Sequence, residues 1–117
     1  MLPKAHRLTK TKDVQGVARY GKGFRAGGIQ LKALPQGGEK ESRIAVVVSK
    51  KVSKKAVKRN RVRRLIQEAF WQTLPNLLPG YDLLVIVLPG MKAENLADVS
   101  PTVLALLKQA ELLRDPL

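Results

Sequence analysis

Two stretches of the chain are almost wholly apolar and rich in β-branched residues, RIAVVV at 43–48 and DLLVIVL at 82–88. Runs of that length and composition predict buried strands rather than one-sided helices. Residues 23–34 alternate from Ile29, with Ile29, Leu31 and Ala33 set against Gln30 and Lys32, and predict another strand. PQGGEKES at 35–42 reads as a turn or mobile loop. TKDVQGVARY at 11–20 predicts a short helix with Val14, Val17 and Ala18 on one face and Gly21 as its stop. A longer helix is predicted from an N-cap at Ser53 to about Leu74, where Pro75 ends it. Its core stripe is Val62, Leu65, Ile66, Ala69 and Phe70, spaced i, i+3, i+4, i+7, i+8. Ser100-Pro101 opens a last amphipathic helix to about residue 113, with Val103, Leu104, Leu107 and Leu112 available for packing. The order strand, helix, strand across 43–88 predicts two parallel neighbours in one sheet.

The long helix is unusual where it begins. Continued toward its N-terminus, the apolar stripe runs into Lys55, Lys58 and Arg59, which cannot be packed among apolar groups. The first turns must therefore overhang the core or border an open cleft. The helix back carries Asn60, Arg64, Gln67 and Trp71 roughly in line. If helical, Lys54–Lys58, Lys55–Arg59 and Arg59–Arg63 are like-charge pairs that each cost about 0.2–0.5 kcal/mol. Local stability does not select such a face, so a partner must.

Composition sharpens that inference. The chain has 117 residues, read as one domain spanning 1–117, with a formal net charge of +13. Residues 1–72 carry +15 and residues 73–117 carry −2. Segregation of that kind points to a polyanion, either nucleic acid or an acidic membrane surface. The membrane reading is the weakest, since the basic helix lacks a broad apolar face and no apolar run is long enough to cross a bilayer. The basic N-terminus is followed by no apolar stretch, so no signal peptide is expected. Zero cysteines exclude a disulfide framework and a thiolate nucleophile, and favour the cytoplasm.

Phosphate recognition suits Lys50, Lys51, Lys54, Lys55, Lys58, Arg59, Arg61, Arg63 and Arg64, because guanidinium pairs with phosphate in a bidentate way and ammonium supplies a point charge. Asn60, neutral among cations, suits at most a hydrogen bond to RNA or to a hydrated metal ion. Catalytic equipment is not evident. The single histidine, His6, lies in an N-terminus expected to be mobile, and the nine carboxylates show no DxD or ExxH spacing. Few aromatics argue against a sheet-borne stacking platform. Tyr20 and Phe24 flank the glycine-rich turn, where they line a groove or pack into the core.

VSKKVSKKAVKRNRVRRLIQEAF, Val48 to Phe70 with Arg59-Asn60-Arg61 at its centre, closely resembles the signature helix of the bacterial ribonuclease P protein component. RLTKTKDVQGVARYGK from Arg7 and GYDLLVIV from Gly80 resemble that family's opening segment and last strand. The resemblance implies an α+β sandwich of order αβββαβα, a four-stranded sheet packed by helices, with a left-handed β-α-β crossover. The bottom-up expectation is the right-handed sense. It implies a catalytic RNA as partner and precursor tRNA as substrate, with no membrane and no obligate protein partner. It also implies Mg2+ held mainly by the RNA, with none bound tightly by the protein. Lys51, Arg59, Asn60, Arg61 and Arg64 match family positions that contact the leader or the catalytic RNA, and Val14, Ala18, Tyr20 and Phe24 fall at the expected leader cleft. The family often has aromatics at Val14 and Ala18, and arginine at Leu88 and Gln67. The rival readings are a ribosomal or other structural RNA-binding protein and, behind it, a DNA-binding helix protein.

With so much unbalanced charge, sulfate is expected to raise the melting temperature above that in chloride at equal ionic strength, by occupying anion sites on the basic helix. Equal melting temperatures in the two salts contradict such a site.

Overall fold

Gly27 and Gly28, both at positive φ (51° and 79°), turn the chain so that Ala26 faces Ile29 across a two-residue hairpin. The predicted strand over 23–34 is therefore two strands. In the computed structural model, which describes residues 2–91 and 93–114, a 3-10 turn at Lys4–His6 precedes α1 (Thr11–Tyr20), β1 (Lys22–Ala26), β2 (Ile29–Pro35) and β3 (Arg43–Val48). These are followed by α2 (Ala56–Thr73), a 3-10 turn at Leu74–Asn76, β4 (Tyr81–Val87) and α3 (Leu96–Gln109). The sheet runs β1-β2-β4-β3. β4 pairs antiparallel with β2 and parallel with β3, as the strand–helix–strand order predicted.

Strand alternation sends the two sheet faces to different partners. Ile29, Leu31, Ala33, Leu83, Val85 and Val87 pack beneath α2 and α3 in the main core, where Ile66, Phe70, Val103 and Leu107 are fully buried. The opposite face carries Leu34, Ala45, Leu84 and Ile86 against Leu8, Val14 and Val17, a smaller cluster under α1. Beyond α1 this second face is open, and Val47 is an exposed apolar residue.

Three expectations about segment ends are corrected. The N-terminus is ordered: Leu2 enters the main core and Leu8 the smaller cluster, while Leu8 N–H donates to the Ile44 carbonyl at 3.0 Å. His6 donates from Nδ1 to the Ser42 carbonyl at 2.8 Å. The segment thus runs along the free edge of β3 and covers it. α3 begins well before Ser100: Asn95 is its N-cap, accepting from Asp98 N–H, while the Asp98 carboxylate accepts from Asn95 N–H in a capping box. Pro101 lies inside the helix, and the Ser100 hydroxyl donates to the Leu96 carbonyl at 2.9 Å. At Gly21 the backbone is extended, not left-handed (φ −69°). A Cβ there would meet the Val17 carbonyl oxygen at 2.6 Å, so glycine is required for space, not for conformation.

One ion cluster ties three elements together. Arg43 donates from Nε and Nη2 to the two carboxylate oxygens of buried Asp82, at 2.9 and 2.7 Å, and its Nη1 lies 3.5 Å from Asp13 of α1. The hydrogen bond to Asp82 outweighs partial burial and raises the Arg43 pKa. A raised cationic pKa contributes stability that is fully present below the free guanidinium's value and is lost only as pH climbs through the raised one, so the Arg43 cation is in place at neutral pH.

Phe70→Ala is expected to cost about 3–5 kcal/mol of unfolding free energy in urea denaturation, with half-buried Leu65→Ala falling below that. Asp82→Ala, which strands the Arg43 guanidinium, is expected to cost about 2–3 kcal/mol. A loss under about 1 kcal/mol contradicts a structural role for the pair.

Candidate nucleic-acid interface

α2 is divided along its length. Only Ile66, Ala69 and Phe70, all in its C-terminal half, are buried. Val62 and Leu65 are half-buried against the core, and the turns before them are exposed apart from half-buried Arg59. The charged N-terminal turns thus overhang the core, as the broken stripe required.

The helix starts at Ala56, with Lys55 as N-cap and no side-chain cap. Ser53 does not cap it; its Oγ accepts from Lys55 N–H at 3.2 Å and shapes the preceding turn instead. Lys54 and Lys55 consequently precede the helix, so the expected helical repulsion between Lys54 and Lys58 does not arise. The first turn contains no acid, and the positive end of the helix dipole adds to the surrounding cations. Lys50, Lys51, Lys54 and Lys55 are exposed on the loop, and Lys58 on the first turns.

The arginines fall into two groups. Arg59 folds back, Nη1 donating to the carbonyls of Ser53 and Lys54 at 2.9 and 3.0 Å, and ties the loop to the helix. Arg61 donates to the Glu94 carbonyl at 2.9 Å and reaches the segment before α3. Arg63 donates to Asn60 Oδ1 at 2.7 Å. Each keeps further guanidinium donors for a ligand. Arg64 is exposed and makes no hydrogen bond or ion pair among the described residues.

Asn60, Arg63, Arg64 and Gln67 line one wall of a groove whose other wall is the N-terminal segment, with Arg7 and Thr9, and whose floor includes Ile44 and Val46. Arg7 and Thr9 were not singled out from the sequence, because the segment that holds them was expected to be mobile. The signal was the pair of leucines, Leu2 and Leu8, that anchors it. No group of three His, Asp or Glu able to hold a metal exists among the described residues. Asn60 Oδ1 accepts from Arg63 at 2.7 Å, which leaves the amide oxygen a second lone pair.

Of the four residues expected at a leader cleft, Val14, Ala18 and Tyr20 share α1, and Phe24 is separated from them. Val14 is half-buried in the smaller cluster, and Ala18 is exposed beside it, its carbonyl accepting from Lys32 Nζ at 2.7 Å. Tyr20 is 69% exposed, with the Arg19 guanidinium 5.4 Å from its ring centroid. Phe24 lies on the other face: it pairs with Leu31, whose side chain points into the main core, and packs there itself.

A mixed sheet that displays a basic, partly unpacked helix defines a small α+β protein built to receive a polyanion. Comparison with known proteins narrows this class. The Ribonuclease P family profile matches residues 2–111, and the chain belongs to that family. It is 38% identical over 97 residues to the ribonuclease P protein component of Synechococcus elongatus, covering 80% of each chain. To that of Brevibacillus brevis it is 33% identical over 111 residues, covering 95% of this chain and 87% of the relative. The RNase P protein of Staphylococcus aureus superposes with a TM-score of 0.83 at 25% identity, over 94% of this chain and 99% of that one. The Thermotoga maritima protein gives 0.77 at 25% identity, over 88% and 96%.

Arg64→Ala is expected to weaken RNA binding and lower the salt slope of log K by about 0.7–0.9, with an unchanged melting temperature. Arg59→Ala is expected to lower the melting temperature as well, because two loop carbonyls lose their donor. Identical behaviour of the two variants in both measurements contradicts this division.

Proposed function

We propose that this chain is the protein subunit of a ribonuclease P holoenzyme, binding the catalytic RNA and the 5′ leader of precursor tRNA. The RNA carries the Mg2+-dependent hydrolysis that frees the mature tRNA 5′ end, and the protein supplies no catalytic group. The observation that carries this reading is the set of α2 cations without internal counter-ions. Among the described residues every Lys/Arg salt bridge uses Arg43 and none uses α2.

Two RNA molecules must approach each other in this enzyme, and both are polyanions. Lys50, Lys51, Lys54, Lys55, Lys58 and Arg64 lower that repulsion by neutralising phosphates and releasing their counter-ions. Arg59, Arg61 and Arg63 are held by Ser53, Glu94 and Asn60, so they present guanidinium donors in fixed directions. The open sheet face beside α1, bordered by Val14, Ala18 and Tyr20 and floored by Val47 and Ile86, offers the leader an apolar track. Phe24, on the opposite face, takes no part in it. The compartment proposed is the cytoplasm; among the described residues no helix is long and apolar enough to cross a membrane.

Adding the protein to its RNA subunit at low Mg2+ is expected to restore cleavage of precursor tRNA, whereas the purified protein alone cleaves nothing. A structural RNA-binding protein of another assembly leaves the RNA inactive at low Mg2+. Either that outcome or cleavage by the protein alone overturns the reading.

A further inference from the structure

Past Gln67 the groove along α2 changes character. Its next lining residues on the helix are Glu68, Trp71 and Gln72, and the facing wall is His6 of the N-terminal segment, closed below by Leu74 and Pro75. Trp71 follows Arg64 and Gln67 at helical spacing, so it continues the same side. It is 44% exposed and contributes to neither apolar cluster. Nothing in the packing of the core accounts for the largest side chain of the helix being left in solvent. The opposite wall is rigid: His6 is only 14% exposed, and its Nδ1–H is held by the Ser42 carbonyl.

Glu68 decides what the recess can receive. It is the only acid between Ser42 and Tyr81, and it has no ion-pair partner among the described residues. A phosphate is attracted to Arg64 and repelled one turn later. A nucleobase is accommodated in both respects, since its flat face stacks on the indole and an exocyclic amino group donates to the carboxylate. We propose that Trp71 and Glu68 form a stacking site for one unpaired, amino-bearing base (cytosine, adenine or guanine, but not uracil) of an RNA whose phosphates lie on the basic half of α2. The site rests on the RNA-binding reading given above and adds base recognition to it. The base comes either from the catalytic RNA or from precursor tRNA, and the two sources are separable by order of addition.

Trp71 is the sole tryptophan, so its emission reports the site directly. Titration of the full chain with short single strands of cytidine, adenosine or uridine is expected to quench that emission, more strongly for the first two. Quenching by the catalytic RNA alone assigns the base to that RNA; quenching only after precursor tRNA is added assigns it to the substrate. Followed by anisotropy of labelled cytidine strands, Trp71→Ala is expected to bind roughly 5- to 100-fold more weakly. Trp71→Phe is expected to stay within about threefold of the parent, because it keeps a stacking face. Neither variant is expected to alter the salt slope, which separates stacking from phosphate contact. Glu68→Gln is expected to erase the preference for cytidine and adenosine over uridine while retaining the quench. If RNA binds with the Arg64-dependent salt slope but Trp71 emission is unmoved and Trp71→Ala binds like the parent, the stacking site is refuted and the basic interface stands. If no RNA, catalytic RNA included, binds to the chain, both readings fail together.

Discussion

Charged side chains cannot be taken into an apolar core without partners, and the architecture follows from how α2 meets that rule. Most surface helices are amphipathic around their circumference. α2 is amphipathic along its axis: its C-terminal half is a core element, with Ile66 and Phe70 fully buried, and its N-terminal half projects from the core. Continuous helical hydrogen bonding couples the two halves, so the anchorage of one fixes the direction of the other. A rigid cationic arm is thereby held in place without burying a single one of its charges.

The acids are deployed to the same end. Asp82 and Asp13 engage Arg43 at the junction of β3, β4 and α1, and Asp98 caps α3. Each sits away from the basic groove and does a structural task there. Glu68 differs from these three: it lies on α2 itself, at the far end of the groove. Electrostatic potential is therefore graded along the helix rather than uniform, and a bound strand meets different chemistry at its two ends.

Much of this was legible in the sequence, for identifiable reasons. β4 announces itself because a strand covered on both faces tolerates few polar residues, and the helix between it and β3 made parallel pairing the natural expectation. β3 reads the same way, yet as an edge strand it buries only Ile44 and Val48 and leaves Val47 exposed. The break in the α2 stripe was equally readable, since lysines at core spacing admit one interpretation. β1 was not resolved from β2 because KGFRA holds a single large apolar residue and lies at the sheet edge. The start of α3 was missed because Ser100-Pro101 is a stronger local signal than Asn95 and Asp98, and only the buried Val99 shows that the helix must begin earlier. Arg59 and Arg61 looked equivalent to Arg64 in sequence. Their carbonyl partners, Ser53 and Glu94, are placed by loops whose course no periodicity encodes.

The position of β4 bears on how the chain is made. It is the last strand synthesised, yet it lies between β2 and β3, which do not pair with each other. The sheet therefore cannot close until residues 81–87 have left the ribosome, long after the basic segment 50–64 has emerged. During that interval a segment with a strong excess of positive charge is unfolded among polyanions, ribosomal RNA foremost. Closure of the sheet then fixes one end of α2 and turns an indiscriminately adhesive stretch into a surface of defined shape. In this protein, selectivity for an RNA partner begins when the fourth strand is inserted.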